Sequence, residues 1–91
     1  MEGRRLILND GTEIEDGEAG YSEGALWCWF RGYTMAEAAA IFFDKEKTEV
    51  IRFQYGEEED RYDGFTECRR LMEDEDGKIS VCMTKEVNID G

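Results

Sequence analysis

The sequence predicts an α+β domain in which a curved antiparallel β-sheet of about five to six strands carries one α-helix, at about residues 34–44. Short segments of alternating apolar and polar residues recur along the chain between Asp-Gly and Gly-rich turns, which is typical of antiparallel strands. One segment of helical character interrupts them, and this combination favours an α+β fold. With 91 residues, the chain has room for a single domain, expected to span 1–91 with a loose tail over 86–91.

The first third of the chain predicts a hairpin and then a central strand. Residues 4–9 and 12–15 alternate around Asn-Asp-Gly at 9–11, a turn sequence that accepts positive φ. Residues 16–24 contain three Gly and three acids, so we expect a loop there. Residues 24–31 are apolar on both faces, which indicates a central strand that is covered on both sides.

The face of this strand that carries Trp27 and Trp29 has two interpretations. It belongs to the core if a second layer covers it, and to an interface if a partner covers it. The sequence leaves both open.

The helix has a recognisable start. Thr34 and Glu37 fit a capping box, in which each side chain bonds the backbone amide of the other residue. Ala38, Ile41 and Phe42 then share one helical face, which we expect to pack on the sheet. The charged residues at 44–47 are expected to end the helix.

The second half predicts further antiparallel strands. Residues 48–55 alternate, and residues 56–60 read as a turn that carries four consecutive acids. Residues 65–72 and 78–85 are expected to pair as a hairpin closed by Asp-Glu-Asp-Gly at 74–77. An EF-hand loop with its glycine at Gly77 would begin at Met72 and end at Met83, neither of which is a Ca²⁺ ligand, so a plain hairpin turn is predicted.

Charge and composition exclude several function classes. There are 23 acids against 11 bases, a formal net charge of −12, and nucleic-acid backbones are bound by clustered Lys and Arg. We therefore expect no direct nucleic-acid binding. There is no His, and the three cysteines lack a C-x-x-C spacing, so no zinc site and no cofactor are predicted.

No catalytic apparatus emerges, and we expect that the protein is not an enzyme. Ser22 and Ser80 have no His to activate them, and no Gly-rich phosphate-binding motif occurs. Cys28, between two tryptophans, is expected to be a buried, inert thiol. Cys68 and Cys82 lie on the two arms of the last hairpin, where the register decides whether they face each other.

Location in the cytoplasm is expected. No apolar stretch approaches the roughly 18 residues of a membrane span, and the apolar run after the basic N-terminus is too short for a signal peptide. An odd number of cysteines also fits a reducing compartment.

The acids form clusters, and these are the candidate functional residues. A solvated, repulsive surface that favours solubility is one interpretation. The other is a negative surface that binds a basic protein, because same-face strand residues lie about 6.6 Å apart, similar to two phosphate steps of about 3.4 Å along a DNA strand. The candidate partner-binding residues are Glu57, Glu58, Glu59, Asp60, Tyr62, Asp63, Glu73, Asp74, Glu75 and Asp76.

The segments 6–12 (LILNDGT), 33–38 (YTMAEA) and 64–81 resemble small acidic proteins encoded by phages and prophages of gut bacteria. In style the chain is similar to phage anti-CRISPR inhibitors, which are short, often acidic and catalytically silent, and several of which mimic DNA. The resemblance implies an inhibitor that blocks a nucleic-acid-binding host defence protein such as a CRISPR effector. It assigns no individual functional residue.

Two functions are therefore expected. The first is a non-catalytic acidic inhibitor that acts by DNA mimicry. The alternative is a small phage structural or assembly protein, for which homo-oligomerisation through an apolar face would be expected.

Overall fold

The computed structural model describes residues 3–86, which form eight strands and two helices. The elements are β1 Arg4–Ile7, β2 Glu13–Glu15, β3 Glu18–Ser22, β4 Ala25–Phe30, α1 Met35–Phe42, α2 Lys45–Thr48, β5 Val50–Tyr55, β6 Glu58–Asp63, β7 Glu67–Glu73 and β8 Ile79–Thr84. The mixed α+β class is confirmed. The predicted tail over 86–91 lies outside the described residues except for Glu86.

The strands form two four-stranded antiparallel sheets, so the prediction of one curved sheet of five to six strands was wrong. Sheet A has the order β2-β1-β5-β6, and sheet B has the order β3-β4-β8-β7. Successive hairpins alternate between the sheets because short corners at 16–17 and 64–66 carry the chain from an edge of sheet A to an edge of sheet B. Each half of the chain thus contributes one hairpin to each sheet, on either side of the helices.

The expected loop over residues 16–24 is largely strand β3. It pairs with β4 in a regular register from Glu18 opposite Trp29 to Ser22 opposite Ala25. Gly20 has a role here: a Cβ at this position would lie 3.5 Å from the ring of Trp29, so the indole covers the β3 backbone. Pairing to an apolar neighbour outweighs the low strand propensity of the Gly-rich segment.

The expected turn over residues 56–60 was also too long. Only Gly56, with φ of 63°, and Glu57 connect β5 to β6. Glu58 already pairs with Tyr55, and β6 forms an edge of sheet A in which five of six side chains are charged. Charged edge strands resist pairing with other chains, so these acids have a structural role as well.

The predicted capping box at the start of α1 is confirmed. Thr34 Oγ1 accepts a hydrogen bond from the Glu37 amide, and the Glu37 carboxylate accepts one from the Thr34 amide. Ala38 and Phe42 are fully buried, as predicted for the sheet-facing side. The charged segment that was expected to end the helix forms the one-turn helix α2, because the Asp44 carboxylate accepts from the Glu46 amide and starts a new turn.

The core lies between the sheets and includes side chains from both. Leu6, Ile14 and Ile51 of sheet A meet Leu26 and the other inward residues of sheet B, all without solvent exposure. The ring of Phe30 on β4 stacks on that of Phe42 on α1, with centroids 5.5 Å apart.

The three cysteines are free thiols. Cys28 is fully buried, as predicted, and burial raises its pKa to about 12. A bulge in β7 shifts the register so that Cys68 lies opposite Met83 and Arg70 lies opposite Cys82. The two cysteines of this hairpin therefore do not face each other.

Candidate partner-binding site

The two acidic hairpin tips lie at the same end of the sandwich. At the β5–β6 tip, the Gly56 amide donates to the Gly3 carbonyl at the start of β1. At the β7–β8 tip, Arg31 Nη1, just after β4, donates to the Asp76 carbonyl at 2.9 Å. A groove beside these regions is lined by residues from both sheets and holds three cations, Arg4, Arg31 and Lys78, together with Asp16 and Trp29. We call this region the acidic end; its acids are Glu15, Asp16, Glu18, Glu57, Glu58, Glu59, Asp60, Glu73, Asp74, Glu75 and Asp76.

The β5–β6 tip divides its acids into engaged and unengaged groups. Glu59 accepts from Gln54 at 2.7 Å and lies 3.8 Å from Arg52, and Asp60 accepts from the Tyr55 hydroxyl at 3.3 Å. Glu57 and Glu58 are exposed, and their carboxylates have no hydrogen-bond or ion-pair partner among residues 3–86.

Tyr62 and Asp63 lie at the far end of β6, away from the tip. The Tyr62 ring packs edge-on against Phe65, and burial raises its pKa. Asp63 accepts from Arg61 at 2.8 Å. The structure therefore does not place these two candidates with the tip acids.

The β7–β8 tip is organised by Asp74. Its carboxylate accepts from the amides of Lys78 and Asp76, both at 2.9 Å, and the bond from the Lys78 amide is the main cause of its lowered pKa. The side chains of Glu73, Glu75 and Asp76 are exposed and have no such partner within the described part of the chain.

The acids expected on strands and adjoining turns do not form a continuous row along β6. The outward side chains of β6 are Glu59, Arg61 and Asp63, so a guanidinium stands between two acids. A phosphate-like array can therefore be formed only by acids gathered from several tips, and not by β6 alone.

Glu15 and Asp16 belong to the same end, although they were not among the candidate partner-binding residues predicted from the sequence. They end β2 and form the corner to β3, where Asp16 has a positive φ of 60°. The sequence marked them as part of an acid cluster, but the loop expected at 16–24 gave no indication that the chain turns here towards the two hairpin tips.

At the opposite end of the sandwich, the lysines neutralise acids. Lys47 binds Asp10 at 2.7 Å, and this hydrogen bond lowers the pKa of Asp10 well below its ordinary value. Lys45 contacts Glu86 and Glu67, and both contacts raise its pKa.

Trp27 and Trp29 lie on the outer face of sheet B, and both are half-buried. The residues beside them on this face are small on β8 and large on β7, whereas β3 contributes a glycine and a glutamate. In the row of Trp27 they are Gly20, Cys82 and Arg70; in the row of Trp29 they are Glu18, Ser80 and Met72. No element described in residues 3–86 covers this face as a further layer.

Over residues 3–86, no three Cys, Asp or Glu side chains converge as metal ligands, and Thr48 is the one fully buried polar side chain. Over the same residues, no helix is long and apolar enough to cross a bilayer.

No protein-family model matches the sequence, and neither the curated proteins nor the solved structures gave a match. The function proposed for this protein therefore rests on its own geometry and charge.

Proposed function

We propose that this protein is a non-catalytic binding protein whose acidic end docks on the basic, nucleic-acid-binding surface of another protein and excludes nucleic acid from it. One observation carries the proposal: five acids of the two hairpin tips, Glu57, Glu58, Glu73, Glu75 and Asp76, have no partner among residues 3–86, and they lie at one end of a chain with a net charge of −12. Unengaged carboxylates lose no internal contact when they bind arginines and lysines of a partner.

Rigid presentation supports this function. The β7–β8 tip is held by Asp74, which caps the turn through two backbone amides. The β5–β6 tip is held by the hydrogen bond of Gly56 to Gly3 and by Tyr55 with Asp60. Preorganised charges lose less conformational entropy on binding, so the interaction gains affinity.

Aromatic side chains at this end would add the apolar contacts that anchor an interface. Tyr55 lines a shallow groove with Arg5, Gln54 and Glu57 beside the first tip, and Trp29 lines the groove beside both tips. Following the resemblance to phage inhibitors, the partner to test first is a host defence nuclease in the cytosol, such as a CRISPR effector.

The test uses two variants with the same change of net charge. Glu57/Glu58/Glu75→Gln neutralises the acidic end, and Glu23/Glu46/Glu49→Gln neutralises three exposed acids elsewhere. The tagged proteins are used to capture partners from bacterial lysate and are then added to purified guide-loaded CRISPR effectors with labelled target DNA.

The wild type should capture a nucleic-acid-binding protein, release it at high salt and displace DNA from it, since exposed charge pairs are screened by salt. The acidic-end variant should lose this activity, whereas the control variant should keep it. Equal activity of the two variants would show that these carboxylates are not the binding surface.

A small structural or assembly protein is the second candidate, and the outer face of sheet B favours it. The aromatic column of Trp27 and Trp29 is the kind of surface that an ordered assembly covers. Concentration-dependent growth beyond a dimer would support this function, because a particle component needs an interface that does not close on itself.

A further inference from the structure

We propose that the outer face of sheet B binds the same face of a second copy of this chain, forming a closed two-fold dimer. This inference is independent of the proposed function, because it uses the sheet surface and not the unengaged acids of the acidic end.

The face is partly apolar and partly open to solvent. Met72 is 44% exposed, Arg70 is exposed, and the two tryptophans are half-buried. The outer face of sheet A, by contrast, is crossed by charged side chains on every strand. Covering the outer face of sheet B with protein therefore removes fewer charged groups from water than covering that of sheet A, so its desolvation costs less free energy.

The register makes the face complementary to itself. Large side chains project from β4 (Trp27, Trp29) and β7 (Arg70, Met72), and small ones from β8, where Cys82 and Ser80 flank the tryptophans. A two-fold axis parallel to the strands, between β4 and β8, sets each β4 over the β8 of the other copy. Ridges then meet grooves, as in packed sheets about 10 Å apart.

The same axis sets β7 over β3 of the other copy, row over row. Arg70 has no ion pair among the described residues, and it would lie over Gly20 of the partner subunit and over the indole that covers that glycine, whereas Met72 would lie over Glu18 of the partner subunit. A guanidinium on an aromatic face is a favourable interface contact, and the carboxylate of the partner's Glu18 is one row away from it.

Acids on the face itself do not oppose this arrangement. Glu18 and Glu67 occupy its edges, and they are paired with Arg4 and Lys45, which lie outside the face. The unengaged acids project from the hairpin tips at the end of the sandwich. Repulsion between the two copies is therefore long-range, and salt should screen it.

The size of the face sets the expected strength. Four strands about 4.8 Å apart and five residues at about 3.3 Å each give a patch of about 20 by 17 Å on each copy. That is about 340 Å² on each copy, or about 680 Å² for both, which is below the roughly 1,200 Å² at which stable interfaces begin, so the dimer should be weak and reversible.

Sedimentation velocity over a concentration series, at low and at high salt, tests the proposal. We expect a monomer–dimer equilibrium with no larger species, tighter at high salt. Met72→Glu and Arg70→Glu should each weaken association by about tenfold or more, since each places an uncompensated charge in the interface.

Two control variants match these substitutions. Phe43→Glu changes another exposed apolar residue, 61% exposed on the helix side, and Arg61→Glu changes an exposed arginine on the edge of sheet A. Both should leave the dimer unchanged, and circular dichroism should show that all four variants are folded. A strict monomer at millimolar concentration, or equal losses in the test and control variants, would overturn the proposal.

Failure of this proposal and failure of the proposed function are distinguishable. Glu57/Glu58/Glu75→Gln should abolish partner capture and keep the dimer. Met72→Glu should abolish the dimer and keep partner capture.

Discussion

The two outer faces of the sandwich differ in how their outward side chains are paired. On sheet A, charges pair across strands: Arg5 with Glu13 at 2.9 Å, and Arg52 with Glu59 at 3.8 Å. On sheet B, the equivalent central positions hold two tryptophans beside small residues. The charged side chains on sheet A pair with one another, whereas the tryptophan rings on sheet B stay partly exposed to solvent.

The acids of this protein also fall into two groups, those that pair with a basic side chain of the chain and those that have no partner. Glu13 and Glu59 on the outer face of sheet A pair with arginines, and Asp10 and Glu67 at the opposite end pair with Lys47 and Lys45. Glu23, Glu46 and Glu49 are exposed acids without an ion pair among the described residues, but they do not lie on the two acidic hairpin tips. At the acidic end, most carboxylates have no partner within residues 3–86, and this grouping is the property that bears on function.

The largest expected effect contrasts the two faces of one strand. Phe30→Ala should lower the free energy of unfolding by about 3–5 kcal/mol, because the ring is 2% exposed and stacks on Phe42. Trp29→Ala, on the outer face of the same strand, should cost less, since part of this ring is already exposed to solvent in the folded chain.

Urea unfolding at concentrations where the chain is monomeric measures both values. If Trp29→Ala proved as costly as Phe30→Ala, the outer face of sheet B would be core, and its assignment as an interface would fail.

A smaller effect is expected at the corner that separates the sheets. A Cβ on Gly17 would lie 2.9 Å from two side-chain atoms of Leu6 and 3.3 Å from Ile14, inside the core. Gly17→Ala should therefore cost about 1–3 kcal/mol by overpacking. Gly20→Ala is the matched control, because its Cβ would meet Trp29 at an ordinary contact distance of 3.5 Å. Thermal unfolding of the two variants should differ clearly, and equal melting temperatures would contradict the tight corner.

The smallest effect is expected on the outer face of sheet A. Arg52→Gln removes a pair whose two side chains are each 38% exposed, and exposed pairs contribute about 1 kcal/mol or less. The loss should shrink further at high salt, whereas the loss in Trp29→Ala should not. Urea unfolding at two salt concentrations makes this comparison, and a large, salt-independent loss would mean that Arg52 stabilises by packing.

For the candidate site, the sequence predicted the acid clusters but not which acids remain available. Among the described residues, the tip acids without a hydrogen-bond or ion-pair partner are Glu57, Glu58, Glu73, Glu75 and Asp76. Engagement depends on cross-strand neighbours, as with Glu59 beside Arg52, and these neighbours are set by register. Glu15 and Asp16 join the site through a corner that local sequence did not indicate.

Local physical chemistry determines much of the fold. The Thr34–Glu37 capping box, the turns at 9–11 and 74–77, and the alternation of β5 depend on residues close in sequence, and each was confirmed. The burial of Cys28 between tryptophans was likewise predictable from strand alternation.

Tertiary structure alone decided how these elements combine. It made β3 a strand, divided the strands between two sheets, and brought two distant acidic tips to one end. It also placed Trp27 and Trp29 on an outer face. Each of these depends on pairing between segments far apart in the chain, and the free energy of such pairing comes from buried neighbours that no local window of sequence contains.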